Sequence, residues 1–120
     1  MLLQDPNVQV WLYTQPTDMR KHFDGLAAIA KNKMAGKVVE GQLFVFVNRK
    51  RTYMKALYYS RGGLCVWSKR LERGHFHCVR ATDQNQHKAE LRWTQLQCLI
   101  DGINWQKAAK NKRFNTASLV

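Results

Sequence analysis

Hydrophobic and polar positions divide the chain into segments of two different periods. Val8-Gln9-Val10-Trp11-Leu12-Tyr13 alternates loosely and is rich in β-branched and aromatic residues, which predicts a first strand closed by Thr14-Gln15-Pro16. Behind it Met19, Phe23, Leu26, Ala27, Ala30 and Met34 recur at i, i+4, i+7, i+8, i+11 and i+15, one apolar stripe of helical period. Thr17 suits the N-cap of that helix, Asp18 the positive end of its dipole, and Gly36 its termination. The stripe, Phe23 included, is expected to pack on a sheet and to leave Lys21 and Lys31 in solvent.

The middle of the chain carries strand signals. Leu43-Phe44-Val45-Phe46-Val47 is apolar at every position, as a central strand covered on both faces would be. Asn48-Arg49-Lys50-Arg51 predicts a turn, and Tyr53 to Tyr59 a returning strand. In Arg61-Gly62-Gly63 the glycine pair is expected to supply the positive φ of a hairpin turn into Leu64-Cys65-Val66-Trp67-Ser68. After Arg73-Gly74, His75 to Val79 predicts a fourth strand in this run, and Thr82 to His87 is turn-like. Trp93, Leu96, Leu99, Ile100 and Ile103 then predict a second helix, with Gly102 near its end. The order β-α-β-β-β-β-α predicts an α+β fold: an antiparallel sheet of four to five strands with two helices packed on it. Residues 1–105 are expected to form the single domain and residues 106–120 a basic, flexible tail.

Composition agrees with one globular domain. At 120 residues, 45% hydrophobic and 23% charged, the chain can bury about two-thirds of its unfolded surface without a metal or disulfide. Cys65, Cys78 and Cys98 are an odd count without C-x-x-C spacing, so they are expected to stay reduced. No apolar run approaches the roughly 18 residues that span a bilayer. The first residues lack a basic n-region and an apolar h-region, so the expectation is a soluble cytoplasmic protein without a membrane role.

Charge changes the picture most. The formal net charge is +12, which argues for a polyanionic partner and says nothing of fold. Residues 41–80 hold nine cations, Arg49, Lys50, Arg51, Lys55, Arg61, Lys69, Arg70, Arg73 and Arg80, against one acid, Glu72. Tyr53, Tyr58, Tyr59 and Trp67 are interleaved with them. Cations for phosphates beside aromatics for bases is a pattern of nucleic-acid-binding sheets, although strands are rich in aromatics for packing reasons too. In an antiparallel meander the Arg49–Arg51 turn and the Lys69, Arg70, Arg73 cluster fall at one side of the sheet, with Arg61 opposite. The expected nucleic-acid-binding residues are therefore Arg49, Lys50, Arg51, Lys55, Lys69, Arg70 and Arg73, with Glu72 able to pair Arg70 or Arg73.

Catalytic patterns are missing. The sequence contains no phosphate-binding Walker loop, no G-x-S-x-G and no G-x-G-x-x-G, and its eight carboxylates are scattered. Asp18 and Asp24 are out of phase on a helix, and Asp24 is placed to pair Arg20 at i, i+4. His75, His77 and Cys78, with Cys65 and His22 elsewhere, have zinc-compatible side chains but not the usual ligand spacings. No catalytic residue, metal or cofactor is expected.

Thr17-Asp18-Met19-Arg20-Lys21, Phe23-Asp24-Gly25-Leu26, Gly41 to Phe46 with Asn48-Arg49-Lys50-Arg51, and Lys69-Arg70-Leu71-Glu72-Arg73-Gly74-His75-Phe76 together resemble one family. It is the TnpB accessory protein encoded by the second open reading frame of insertion-sequence-66-type transposable elements. The resemblance spans residues 8–103 and marks Asp18, Met19, Arg20, Lys21, Leu71, Glu72 and Gly74 as its motif positions. The chain departs from the family pattern at His22, at Tyr59-Ser60 and at His77-Cys78. The resemblance implies a bacterial mobile element and work beside a separate transposase, without implying a reaction. Together with the charge, it gives the expectation of a non-enzymatic accessory protein that binds the element's DNA. The alternative is an adaptor that docks on the transposase and leaves DNA alone.

Overall fold

The elements run β1 (Gln9–Tyr13), α1 (Phe23–Asn32), β2 (Gln42–Val47), β3 (Tyr53–Ser60), β4 (Gly63–Arg70), β5 (Lys88–Leu91) and α2 (Trp93–Ile100) in a computed structural model that describes residues 7–78 and 87–104. The strands form one sheet in the order β4-β3-β2-β1-β5. β2, β3 and β4 make the expected antiparallel meander. β1, however, pairs parallel with β2, so the sheet is mixed and the expectation of an antiparallel one is corrected. The reason lies in the connection: α1 separates β1 from β2, and a helix-bearing crossover returns the chain to its starting end, which a short turn cannot do. β5 closes the other side of β1 in antiparallel register, from Val10↔Leu91 to Tyr13↔Lys88.

Both faces of the sheet are covered, which explains why β2 is apolar at every position from Leu43 to Val47. Val10, Leu12, Leu43, Val45, Val47, Met54 and Ala56 pack with Phe76 and with Leu96, Leu99 and Ile100 of α2. On the opposite face Phe44, Phe46 and Leu57 meet Leu26 and Ala30 of α1 and Met34 just beyond it. Gly36 is required there by space, since a Cβ at this position would lie 2.5 Å from Phe44 Cε1. α1 itself ends at Asn32 with Lys33 as its C-cap, and Ala35 beyond it adopts a φ of 51°. α2 ends in a Schellman motif: the Ile103 N–H donates to Cys98 O, the Gly102 N–H to Leu99 O, and Gly102 has a φ of 72°.

Several local expectations are corrected. α1 begins at Phe23, because Thr17 continues the sheet end instead of capping a helix: its N–H donates to Val47 O at 3.0 Å and its buried hydroxyl makes no hydrogen bond. Phe23, as the first helical residue, is 41% exposed, whereas Leu26, Ala30 and Met34 of the same stripe are buried. In the β3–β4 turn the positive φ values belong to Arg61 and Gly62, and Gly63 already pairs with Ser60 in the sheet. Residues 75–78 are not a strand; Phe76 enters the α2-side core with Cys78 packed against it, and the remaining strand of the sheet is the short, charged β5. Val79, most of the predicted 82–87 turn and the 106–120 tail lie outside the described residues. Among the described residues no helix is long and apolar enough to cross a membrane.

Candidate nucleic-acid interface

The mixed register collects many loops at one end of the sheet. β1 and β2 finish there, β3 starts beside the last residue of β4 (Tyr53↔Arg70), and β5 starts beside the last residue of β1. The loop after β1, the β2–β3 turn and the segment after β4 therefore meet.

The β2–β3 turn is tightly specified. Asn48 Oδ1 accepts the N–H groups of Thr52 and Tyr53 at 2.9 and 3.1 Å, and Arg51 takes a φ of 59°. The segment after β4 wraps this turn: the Leu71 N–H donates to Thr52 O at 2.8 Å and the Phe76 N–H to Arg51 O at 2.6 Å. Arg49 and Lys50 are exposed and Arg51 is half-buried. These three cations, with Thr14, Gln15, Pro16 and His75, line an open groove of about 520 Å³. The groove has no carboxylate in its lining. The His75 ring lies 4.7 Å from that of His77, and among the described residues no group of three His, Cys, Asp or Glu is placed to hold a metal.

The other predicted cations separate into two kinds. Arg70 and Arg73 are exposed at the same end, Arg70 making a long 3.8 Å ion pair with Glu72. Lys69 and Arg70 do not follow β4 as expected but belong to it, because pairing with β3 continues to Tyr53. Lys69 is half-buried, and its Nζ donates to Ile100 O at 2.7 Å, neutralising the negative end of α2. Lys55 is only 6% exposed; its Nζ donates to the Met19 and Lys21 carbonyls, each at 2.8 Å. Burial removes Lys55 from the anion-accessible set and gives it a different task, holding the loop before α1. Arg61 lies at the opposite end of β3, its N–H donating to Glu40 Oε1.

The motif residues mostly organise this end. Asp18 binds the Arg20 guanidinium through Nε and Nη2, at 2.6 to 3.1 Å, and accepts the Arg20 N–H as well. Those hydrogen bonds from Arg20 hold the Asp18 carboxyl down at about 2. Arg20 thus pairs with Asp18 and not with Asp24, a correction that follows from its position before the helix begins. Met19 packs against the α1-side core, Lys21 is exposed, Leu71 packs against the α2-side core, and Gly74 takes a φ of 74° that reverses the chain into Phe76. Glu72 is the acid that partners Arg70.

The predicted aromatics do not form one surface. Tyr58 and Trp67 lie on the α2 side, so Tyr53 and Tyr59, odd in β3 where Tyr58 is even, lie on the α1 side. Sequence reasoning also missed Thr14, Gln15, Pro16 and His75 as groove residues. For His75 a signal existed, since polar residues flanking one apolar Phe suit a loop pinned by a single buried ring.

The family model described as "IS66 Orf2 like protein" matches residues 8–110. The uncharacterized protein y4hO of Sinorhizobium fredii (strain NBRC 101917 / NGR234) is 34% identical over 106 residues, covering 88% of this chain and 90% of its own. A second protein of that strain, the uncharacterized y4jC, is 23% identical over 103 residues, covering 86% of each chain. No solved structure matches.

Proposed function

Since the chain belongs to the IS66 Orf2-like family of transposition-associated accessory proteins, we propose that it assists transposition without catalysing a reaction, by binding the element's DNA through the basic end of its sheet. One observation carries this reading. Arg49, Lys50 and Arg51 are held on a turn fixed by Asn48 and by the 71–76 segment, and they line a groove without a carboxylate. Three like charges on an ordered backbone are arranged for an anion, and phosphate contacts of this kind position a protein on DNA without reading its sequence. Arg70 and Arg73 extend the same surface. Lys55, also expected in this set, is 6% exposed and bound to two carbonyls, and this reading leaves it out.

The test is the salt dependence of binding. If Arg49, Lys50, Arg51, Arg70 and Arg73 each neutralise a phosphate, log affinity for duplex element ends falls against log salt with a slope near about −4.5. Replacing Arg49, Lys50 and Arg51 together by Ala should flatten the slope by about 2.7, and Arg61→Ala should leave it unchanged. Absence of DNA binding at physiological salt, with capture of the transposase retained, would replace this reading by the adaptor one.

A further inference from the structure

One pair of rings is left unexplained by packing. Phe23 is the one exposed Phe, Tyr or Trp among the described residues, and it opens α1 with its ring tilted against that of His22, centroids 4.2 Å apart and planes at 53°. The core does not hold this pair in place; the loop before it does. The Lys55 ammonium, buried beneath, binds the Met19 and Lys21 carbonyls, and the Thr17 N–H is tied to Val47 O. Four hydrogen bonds between Arg20 and Asp18 close the loop on its outer side. A buried lysine is an expensive anchor for a surface loop that presents only solvent-facing rings.

We propose that His22 and Phe23 form a stacking platform for unpaired nucleobases, an inference that rests on the nucleic-acid reading above. Phe and His rings both stack on bases, and an exposed pair can do so only where bases are free of a partner, as in single strands or frayed ends. The basic turn nearby favours nucleic acid over a protein partner. Next to the rings Arg20 is paired with Asp18, and the exposed Lys21 stands against Asp24 in the first turn of α1, so the unbalanced cations within reach are those of the Arg49–Arg51 turn. The loop that carries the rings is also tied to the basic turn, because Pro16 lines the groove and the Thr17 N–H donates to the O of Val47, two residues before Arg49. A strand held by its phosphates at Arg49–Arg51 can then pass its bases onto His22 and Phe23.

The experiment compares a single-stranded oligothymidylate with a duplex of equal length by fluorescence anisotropy at fixed salt. Phe23→Ala should weaken single-strand binding by about fivefold to a hundredfold and duplex binding by less than about twofold, with the salt slope unchanged. His22→Ala should act in the same direction, and Phe23→Trp should retain or tighten single-strand binding. Melting of Phe23→Ala near the wild-type temperature shows that folding is not the cause. Equal losses on both substrates, or no loss on either, overturns the platform, as does loss of transposase capture with single-strand binding intact. If the Arg49, Lys50, Arg51 triple variant still flattens the salt slope while Phe23→Ala is silent, only the platform falls. If the wild-type protein binds neither substrate, the nucleic-acid reading falls and the platform with it.

Discussion

Two turns bracket β3, and they are built to different standards. The one before it, Asn48 to Thr52, is held by the Asn48 side chain, by the Arg51 N–H donating to Asn48 O, and from outside by the amides of Leu71 and Phe76. The one after it is two residues long, with positive φ at Arg61 and Gly62 as a type I′ turn requires, and a single outside contact from Glu40. The second turn is about the least structure that reverses a strand. The first is over-determined, and it is the one that carries three adjacent cations. Mutual repulsion among those charges favours opening the turn, so the additional hydrogen bonds keep the cations converged without a phosphate to bridge them.

The comparison breaks most severely at Phe76. This fully buried ring anchors the segment that wraps the first turn, so Phe76→Ala should destabilise by about 3–5 kcal/mol in denaturant unfolding; less than about 1 kcal/mol would show that the wrap is incidental. Asn48→Ala strips two backbone donors of their acceptor and should lower stability by about 1–3 kcal/mol, with faster hydrogen exchange at Thr52 and Tyr53. A sharper contrast uses Arg51 and Arg61, which share a left-handed conformation, φ 59° and 50°. Glycine at either site relieves backbone strain and adds unfolded-state entropy, so both variants should stay within about 1 kcal/mol of the wild type. Only Arg51→Gly should flatten the salt slope, by about 0.9; equal slopes would remove the functional distinction between the turns.

The smallest effect concerns Arg20, a cation at the same end already claimed by a carboxylate. Asp18 titrates near 2 in the folded protein against an ordinary 3.8, so its contribution to stability is present above about 3.8 and lost as the pH falls through 2. An NMR titration should place the Asp18 midpoint near 2, and Arg20→Ala should return it toward the ordinary value. A midpoint near 3.8 in the wild-type protein would free Arg20 for phosphate.

Sequence reading went furthest where pattern and environment agree. β2 is apolar from Leu43 to Val47 because both faces are covered, and Gly102 ends α2 because the last turn needs a residue at positive φ. The parallel partner of β2 was hidden because strand direction depends on the crossover, not on the strand's own residues. β5 was hidden because Lys-Ala-Glu-Leu is short, charged and at a sheet edge, where only one neighbour constrains it. At the candidate site, the clustering of Arg49–Arg51 with Arg70 and Arg73 was legible from hairpin geometry. The withdrawal of Lys55 was not: a lysine among Met54, Ala56 and Leu57 can reach solvent or two carbonyls, and only the position of loop 19–21 decides.

The place of β1 between β2 and β5 has a consequence for how the chain reaches its fold. β2, β3 and β4 close as neighbours along the chain, so their pairings can form early and locally. β1 is the first of the strands to be synthesised, yet it acquires its second neighbour only when Lys88–Leu91 arrive and α2 can cover the adjoining face. Until then Val10, Leu12 and Phe76 lie bare beside an open strand edge, the state in which a nascent chain is most exposed to pairing with another copy. Slow folding and aggregation should therefore follow the closing of β5 onto β1, and single substitutions at Ala89 or Leu91 should lower soluble yield more than their small effect on unfolding free energy implies.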